Sequence, residues 1–304
     1  MAAMAVMALY AGCQTIKPEP LLPVIFEPFD LNKSPGVQFD SDGIPHIKIW
    51  STGEFNANPT SVAQWGLGAY ARYFKNGAEI EKARIFKAAD WLIATQSQNG
   101  GFPLQFDHNY PHPNGYRLKA PWYSAVTQGN AISLLVRAYG ESKDSKYRVA
   151  AGKALRVFTI PTTDGGLLGE LNGMPWYEET PDPRDPNHIF NGFVFALLGI
   201  NDYFLATGDR RALSLWSAGD ASLRKNLDAF VVHAAPEDAT LPMPWSIYDL
   251  QHRNFEKKPN YLTDFYMGIH IALLREMFKR TGYAKYLEVA EQWERSLGEY
   301  KKTH

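Results

Sequence analysis

A chain of 304 residues with 45% hydrophobic and 13% aromatic content can bury a large core; it is long for one ordinary domain but normal for a helical toroid or barrel. A formal net charge of −1 excludes a basic field for nucleic acid and an acidic tail, so any anionic substrate must be met by local charges. The one cysteine, Cys13, excludes an intrachain disulfide.

Residues 1–16 read as a leader. An apolar run from Ala2 to Leu9 passes through Tyr10, Ala11 and Gly12 to Cys13, the pattern of a bacterial lipoprotein signal, and it sets three expectations: a lipid anchor at Cys13, export, and a periplasmic or outer-surface location. No Lys or Arg precedes Lys17, so the usual basic segment is missing. The run is too short to cross a bilayer, which takes about 20 apolar residues, and no other stretch is expected to do so.

Residues 17–58 are rich in Pro and Gly, with alternation from Ile44 to Trp50, and read as an extended arm with one hairpin packed on the main body. From Pro59 the periodicity turns helical. Apolar residues spaced i, i+3, i+4 predict helices near 60–75, 78–97, 124–140, 144–159, 191–207, 209–232, 262–281 and 283–299. Those eight segments form four hairpins, each with an aromatic-ended first helix and a short polar turn, and Gly77, Gly208 and Gly282 stand where a left-handed cap is wanted. Long connections carrying Asn99-Gly-Gly-Phe102 and Asp164-Gly-Gly-Leu167 join the hairpins. Repeated hairpins with Gly-rich loops gathered at one end predict an all-α fold, an (α/α) toroid over residues 59–304 with its site in the funnel between the loops. A plain helical solenoid is the rival architecture.

Chemistry-bearing side chains collect on those loops. Trp122 and Tyr123 precede a predicted helix that Ser124 would cap, and Gln128 follows within its first turns; its amide could equally bond neighbouring backbone. Trp176, Tyr177, Glu178 and Glu179 set two carboxylates beside aromatics, which suits sugar chemistry and equally an ordinary solvated loop; Asn191 follows at a helix start. The stretch from Trp245 to His270 sets the phenols of Tyr248 and Tyr266 among His252, Arg253, Asn260 and His270. A phenol, with a pKa near 10, exchanges protons only where neighbouring charges tune it, and in a chain with 16 Tyr most are wall residues with a wet hydroxyl. GxSxG, HExxH and P-loop patterns are absent. His108 and His112 stand four apart on a Pro-broken loop, a spacing that favours a polar rim over a metal site.

Several runs taken together are similar to the C-terminal domain of the D-glucuronyl C5-epimerases: Pro59 to Leu67, Asn99 to Phe102, Pro121 to Tyr139, Trp176 to Glu179, Asn191 to Phe193, Tyr248 to His252, and Lys258 to Asn260 leading to Tyr266. The resemblance spans roughly residues 40–298 in order. It implies an (α/α) toroid that inverts C5 of glucuronate in an acidic polysaccharide without a metal, nucleotide or redox cofactor, and it adds a homodimer as an expectation. Polysaccharide lyase, glycoside hydrolase and glycan-binding lipoprotein are the alternatives.

By the same resemblance, Tyr248 and Tyr266 occupy the family's two catalytic-region tyrosines and Glu179 its glutamate. The substrate would be held by Trp122, Tyr123, Gln128, Trp176, Tyr177 and Glu178 together with Asn191, His252, Arg253, Asn260 and His270. Three departures stand out: Thr180 replaces a tyrosine, and Gln251 and Thr263 replace arginines that would neutralise a uronate carboxylate. Arg253, His252, Arg117 and Lys119 are the replacement cations on offer.

Overall fold

A computed structural model of the chain describes residues 23–26, 31, 36–49, 52–108, 118–184, 186–234, 241–253 and 258–304. Cys13, His112 and Arg117 lie outside them, as does the leader. After a one-turn helix at Pro23–Phe26, strands β1 (Val37–Phe39), β2 (Pro45–Lys48) and β3 (Phe55–Asn56) form a small antiparallel sheet in which Val37 faces Ile47 and Ile47 faces Asn56. The segment read as one hairpin is thus a three-stranded meander, with the buried Ile44 just before β2 joined to the main core.

Eight long helices follow: α1 (Pro59–Asn76), α2 (Glu79–Thr95), α3 (Ala125–Ser142), α4 (Ser145–Ala154), α5 (Phe190–Thr207), α6 (Arg210–Asn226), α7 (Asp264–Thr281) and α8 (Ala284–Thr303). They pair as four antiparallel hairpins, α1–α2, α3–α4, α5–α6 and α7–α8, in the (α/α) toroid that the repeat predicts.

The two members of a hairpin differ in character for a physical reason. In α3 and α5 nearly every residue from the first turn onward is buried, as expected of helices packed on several sides, whereas α6 and α8 bury a single stripe and form the outer layer. By length and composition α5 could cross a bilayer, against the expectation that no stretch could, but 78% of it is buried within the barrel, where an all-apolar helix is equally at home. Gly129 and Gly199 let α3 and α5 meet backbone to backbone: a Cβ at Gly199 would lie 2.2 Å from the Gly129 carbonyl oxygen.

The turns end as the sequence predicts at Gly77, Gly208 and Gly282, with φ of 67°, 69° and 68°; in each, the glycine N–H closes on the carbonyl of the aromatic residue four positions back. The second hairpin uses Lys143 instead, at φ 60°. Two helices stop earlier than their periodicity suggests. The chain tightens into a 3-10 turn at Leu155–Thr159 after α4, and after α6 it runs through a 3-10 turn at Leu227–Phe230 into strand β6 (Val231–Val232).

At the short-turn end a buried ionic cluster ties three inner helices together. Asp202 of α5 accepts from Arg137 of α3 at 2.6 Å and from Arg280 of α7 at 2.8 Å. Arg280 also reaches the Leu198 carbonyl and Asn201. Burial alone would raise the Asp202 pKa; the two guanidiniums outweigh it and hold the carboxyl ionised below its ordinary range.

Candidate active site

Short turns lie at one end of the barrel, so the three long connections, residues 96–124, 155–189 and 227–263, gather at the other, above the N-termini of α3, α5 and α7. Each connection is fastened by backbone bonds. Strands β4 (Leu168–Leu171) and β5 (Met174–Tyr177) form a hairpin that delivers Glu178 and Glu179, and the Glu178 carbonyl accepts from Ala125 N at the start of α3. This bond satisfies an otherwise orphaned helix donor, and Ser124 holds the cap position without using its side chain. Strand β7 (Trp245–Ser246) pairs with β6 and leads to Tyr248, whose N–H donates to the Asn260 carbonyl at 2.8 Å and whose carbonyl accepts from Phe190 N of α5 at 3.1 Å. Thr263 caps α7 and accepts from the Tyr266 N–H. Where the resemblance expects a cation, this chain therefore has a helix cap.

These anchors bring three predicted residues together. The Tyr248 hydroxyl donates to Glu179 Oε1 at 3.5 Å, and the rings of Tyr248 and Tyr266 meet edge to face at 5.5 Å between centroids. Glu179 presses on the first turn of α5 at Gly192, where a Cβ would fall 2.1 Å from Glu179 Oε2. Only glycine leaves room for that carboxylate.

Burial is the main force on Glu179 and pushes its pKa up from 4.5 to about 7. The Tyr248 hydroxyl opposes that rise, the Glu178 charge adds to it, and the Gly192 N–H, short of complete hydrogen-bond geometry to Oε2, opposes it slightly. A carboxyl group poised near neutrality can accept and return a proton at working pH. Burial also raises the Tyr266 phenol above its ordinary value, with the nearby Glu179 charge second, so it holds its proton.

A second observation concerns the segments that carry this trio. Buried polar atoms without a hydrogen-bond partner recur on two of these connections and at the start of α5: Glu179 Oε2, Asp182 Oδ2, Asn187 Oδ1 and His252 Nδ1 on the former and Asn191 Oδ1 on the latter. Folded proteins rarely leave such atoms unsatisfied, so water or a polar ligand belongs here. Asp182 and Asn187 carry no motif that marks them in the sequence; their only signal is the Pro-broken run between Glu179 and Asn191.

Other expected substrate contacts are placed differently. Glu178 is fully buried, accepting from His188 N at 3.1 Å with His188 Nδ1 2.7 Å from its other oxygen. Adjacent residues leaving a strand face opposite ways, so Glu178 turns into the protein while Glu179 meets Tyr248. Trp176 is also fully buried, stacked on Phe193 at 3.8 Å and near Phe230 at 5.5 Å, and Tyr177 donates to the Leu215 carbonyl. Gln128 bonds both the N–H and the carbonyl of Phe102, the backbone role weighed as its alternative.

His270 sits in the core between Phe190 and Trp293 with Ser246 on Nδ1, and burial lowers its pKa to about 3, so it is neutral and offers no charge to a substrate. These five are scaffold: Trp176, Tyr177 and Glu178 turn inward from β5 and the residue after it, Gln128 from α3, and His270 from α7.

The remaining expected residues lie on the loops. Trp122 is nearly buried and donates to the Phe106 carbonyl with His108 against its ring; Tyr123 is half-buried and donates to Asn99 Oδ1 at 2.9 Å. Asn260 braces Asp249 through its amide. His252 and Arg253 occupy a 3-10 turn three to five residues after Tyr248; burial first, and then the Arg253 charge, lower the His252 pKa. Arg253 is exposed and has no carboxylate in ion-pair range among the described residues, whereas Lys119 is matched by Asp107. Thr180, in the place of a tyrosine, accepts from Asn187 Nδ2 at 2.7 Å.

Comparison with known proteins identifies the family and the fold. A D-glucuronyl C5-epimerase from Caenorhabditis elegans is 32% identical over 203 residues, covering 63% of this chain and 31% of its own length. An uncharacterised protein from Methanocaldococcus jannaschii is 27% identical over 73% of this chain and 67% of its own. Among solved structures, the unsaturated glucuronyl hydrolase of Bacillus sp. GL1, responsible for degradation of glycosaminoglycan, superposes with a TM-score of 0.50 at 14% identity over 78% of this chain and 61% of its own, a likeness of fold alone. The chain thus spans less than a third of the nematode enzyme. Residues 96–295, more than half of the chain and containing Glu179, Tyr248 and Tyr266, match the family described as D-glucuronyl C5-epimerase C-terminus, and the chain belongs to that family.

Proposed function

We propose that this chain inverts C5 of D-glucuronate residues within an acidic polysaccharide, an isomerase reaction carried by proton exchange. The observation that supports it most is the Tyr248 hydroxyl on a Glu179 carboxyl poised near pH 7, with the Tyr266 phenol against the same ring. The C5 hydrogen is α to a carboxylate, so its removal leaves an enediolate. In this reading Tyr248 takes the C5 proton while its own phenolic proton passes to Glu179, and the C5–H electron pair moves into the uronate carboxyl. Tyr266, still protonated, delivers a proton to the opposite face of C5; solvent then reprotonates Tyr266 and takes the extra proton from Glu179, which closes the cycle. Arg253 meets the uronate carboxylate and offsets the second negative charge.

A hydrolase would need two carboxyl groups flanking the glycosidic bond with water between them. Full burial of Glu178 disfavours that pair. The deciding experiment is incubation with unsulfated glucuronate-containing polysaccharide in D2O, followed by proton NMR. Loss of the C5 signal with new iduronate resonances supports the proposal; an unsaturated product would replace it with a lyase, and no exchange on a folded protein would remove it.

A further inference from the structure

Outside the funnel, one groove carries more charge than the fold explains. It runs along the outer wall between α4 with its 3-10 extension and the start of α6, holds about 740 Å3, and is lined by Lys153, Arg156, Arg210 and Arg211, with Gln98 and Asn99 at one end and no carboxylate on its walls. Arg211 is neutralised by Asp209 at 2.6 Å. Lys153, Arg156 and Arg210 are exposed and have no carboxylate in ion-pair range among the described residues.

Two of the arginines occupy the first turn of α6, the positive end of a helix dipole, where a cation is disfavoured. A chain with net charge −1 that leaves three cations unmatched around one groove has made a local anion field. One hydrogen bond links the Asn99 edge of the groove to the start of α3. Asn99, at its end, accepts from the Tyr123 hydroxyl, and Tyr123 stands immediately before the α3 cap at the mouth of the funnel.

We infer that this groove is a second binding site for the acidic polysaccharide, holding a stretch of chain outside the reacting sugar. The inference rests on the reading of the substrate given above. Long side chains of Lys and Arg offer methylenes to sugar rings and charged heads to uronate carboxylates. A polymer engaged at both places gains an effective concentration at the funnel that a short oligosaccharide lacks.

The test compares the full chain with its Arg156→Ser/Arg210→Ser double variant, titrated with an unsulfated glucuronate-containing polysaccharide and with a tetrasaccharide cut from it. The double variant should bind the polymer at least about fivefold more weakly and the tetrasaccharide equally well, with the gap closing as salt is raised. Hydrogen exchange on the unaltered protein should show polymer-dependent, tetrasaccharide-independent protection at residues 153–159 and 210–215.

Equal polymer affinity in both proteins, protection confined to the funnel connections, or no polymer binding at all overturns the inference. Equal protection by inorganic polyphosphate overturns the glycan assignment. C5 exchange on the tetrasaccharide, which does not reach the groove, reports separately on the proposed reaction, so the two readings fail independently.

Discussion

The Tyr248 hydroxyl donates to Glu179 Oε1 at 3.5 Å across a separation of 69 residues. One partner leaves a strand that follows β6, and the other leaves the β4–β5 hairpin; they meet because both rest on the first turn of α5, Tyr248 through its carbonyl on Phe190 N and Glu179 against Gly192. Neither group is useful alone. An isolated phenol is too weak a base at neutral pH, and an isolated exposed carboxyl too weak as well, whereas Glu179, raised to about 7, stands ready to take the proton of the Tyr248 hydroxyl that bonds it.

Replacing Tyr248 by Phe removes the hydroxyl and keeps the ring against Tyr266. Exchange at C5 should fall about 10²- to 10⁴-fold with the near-ultraviolet circular dichroism unchanged. Glu179 would lose the hydrogen bond that favours its charged form, so its pKa should rise further, visible by carbon NMR of labelled glutamate. Unchanged exchange would remove Tyr248 from the reaction.

Glu179 sets a pH dependence whose sign follows from burial. Its folded pKa of about 7 lies above the ordinary 4.5, so the folded state prefers the protonated form. The stability it confers is full below about pH 4.5 and is lost as pH rises through about 7. Glu179→Gln should therefore be more stable than the unaltered protein above pH 7, by up to roughly 3 kcal/mol. The same variant should lose the rise in C5 exchange that the unaltered protein shows between pH 6 and 8. Urea denaturation at pH 5 and pH 8 separates the two proteins; equal midpoints at pH 8 would contradict the burial of this carboxyl.

Asp202 holds two buried guanidiniums, and Asp202→Ala leaves Arg137 without its carboxylate and Arg280 with Glu276 alone. We expect a loss of about 3–5 kcal/mol, with the midpoint of thermal unfolding lowered by several degrees. Because the cluster sits at the end opposite the funnel, the pH profile of the protein that remains folded should be unaltered.

Lys143 is the one hairpin cap held at positive φ by a residue with a Cβ. Lys143→Gly should stabilise the chain by up to about 1 kcal/mol, read as a small upward shift in unfolding midpoint. A decrease would mean that the Lys143 amine bond to the Gly140 carbonyl outweighs the backbone strain.

Local physics made much of this protein legible in its sequence. Apolar spacing placed all eight long helices to within a few residues, except where 3-10 turns ended α4 and α6 early, and Gly77, Gly208 and Gly282 marked caps because only glycine takes φ near 68° without strain. The runs around Glu179, Tyr248 and Tyr266 marked the family. Helix periodicity, cap chemistry and short motifs are properties of neighbouring residues, and a chain displays them before it folds.

Packing decided the rest. Trp176, Gln128 and His270 carry the residue types of a sugar site, yet stacking on Phe193, bonding to the Phe102 backbone and enclosure by Phe190 and Trp293 make them scaffold. Glu178 and Glu179 look equivalent in the sequence, and only the direction in which each leaves β5 separates a carboxylate facing His188 from one facing Tyr248. The pKa of Glu179 is likewise absent from the sequence, because desolvation depends on which atoms from distant segments fill the space around a group, and that is fixed only when the connections close over the barrel.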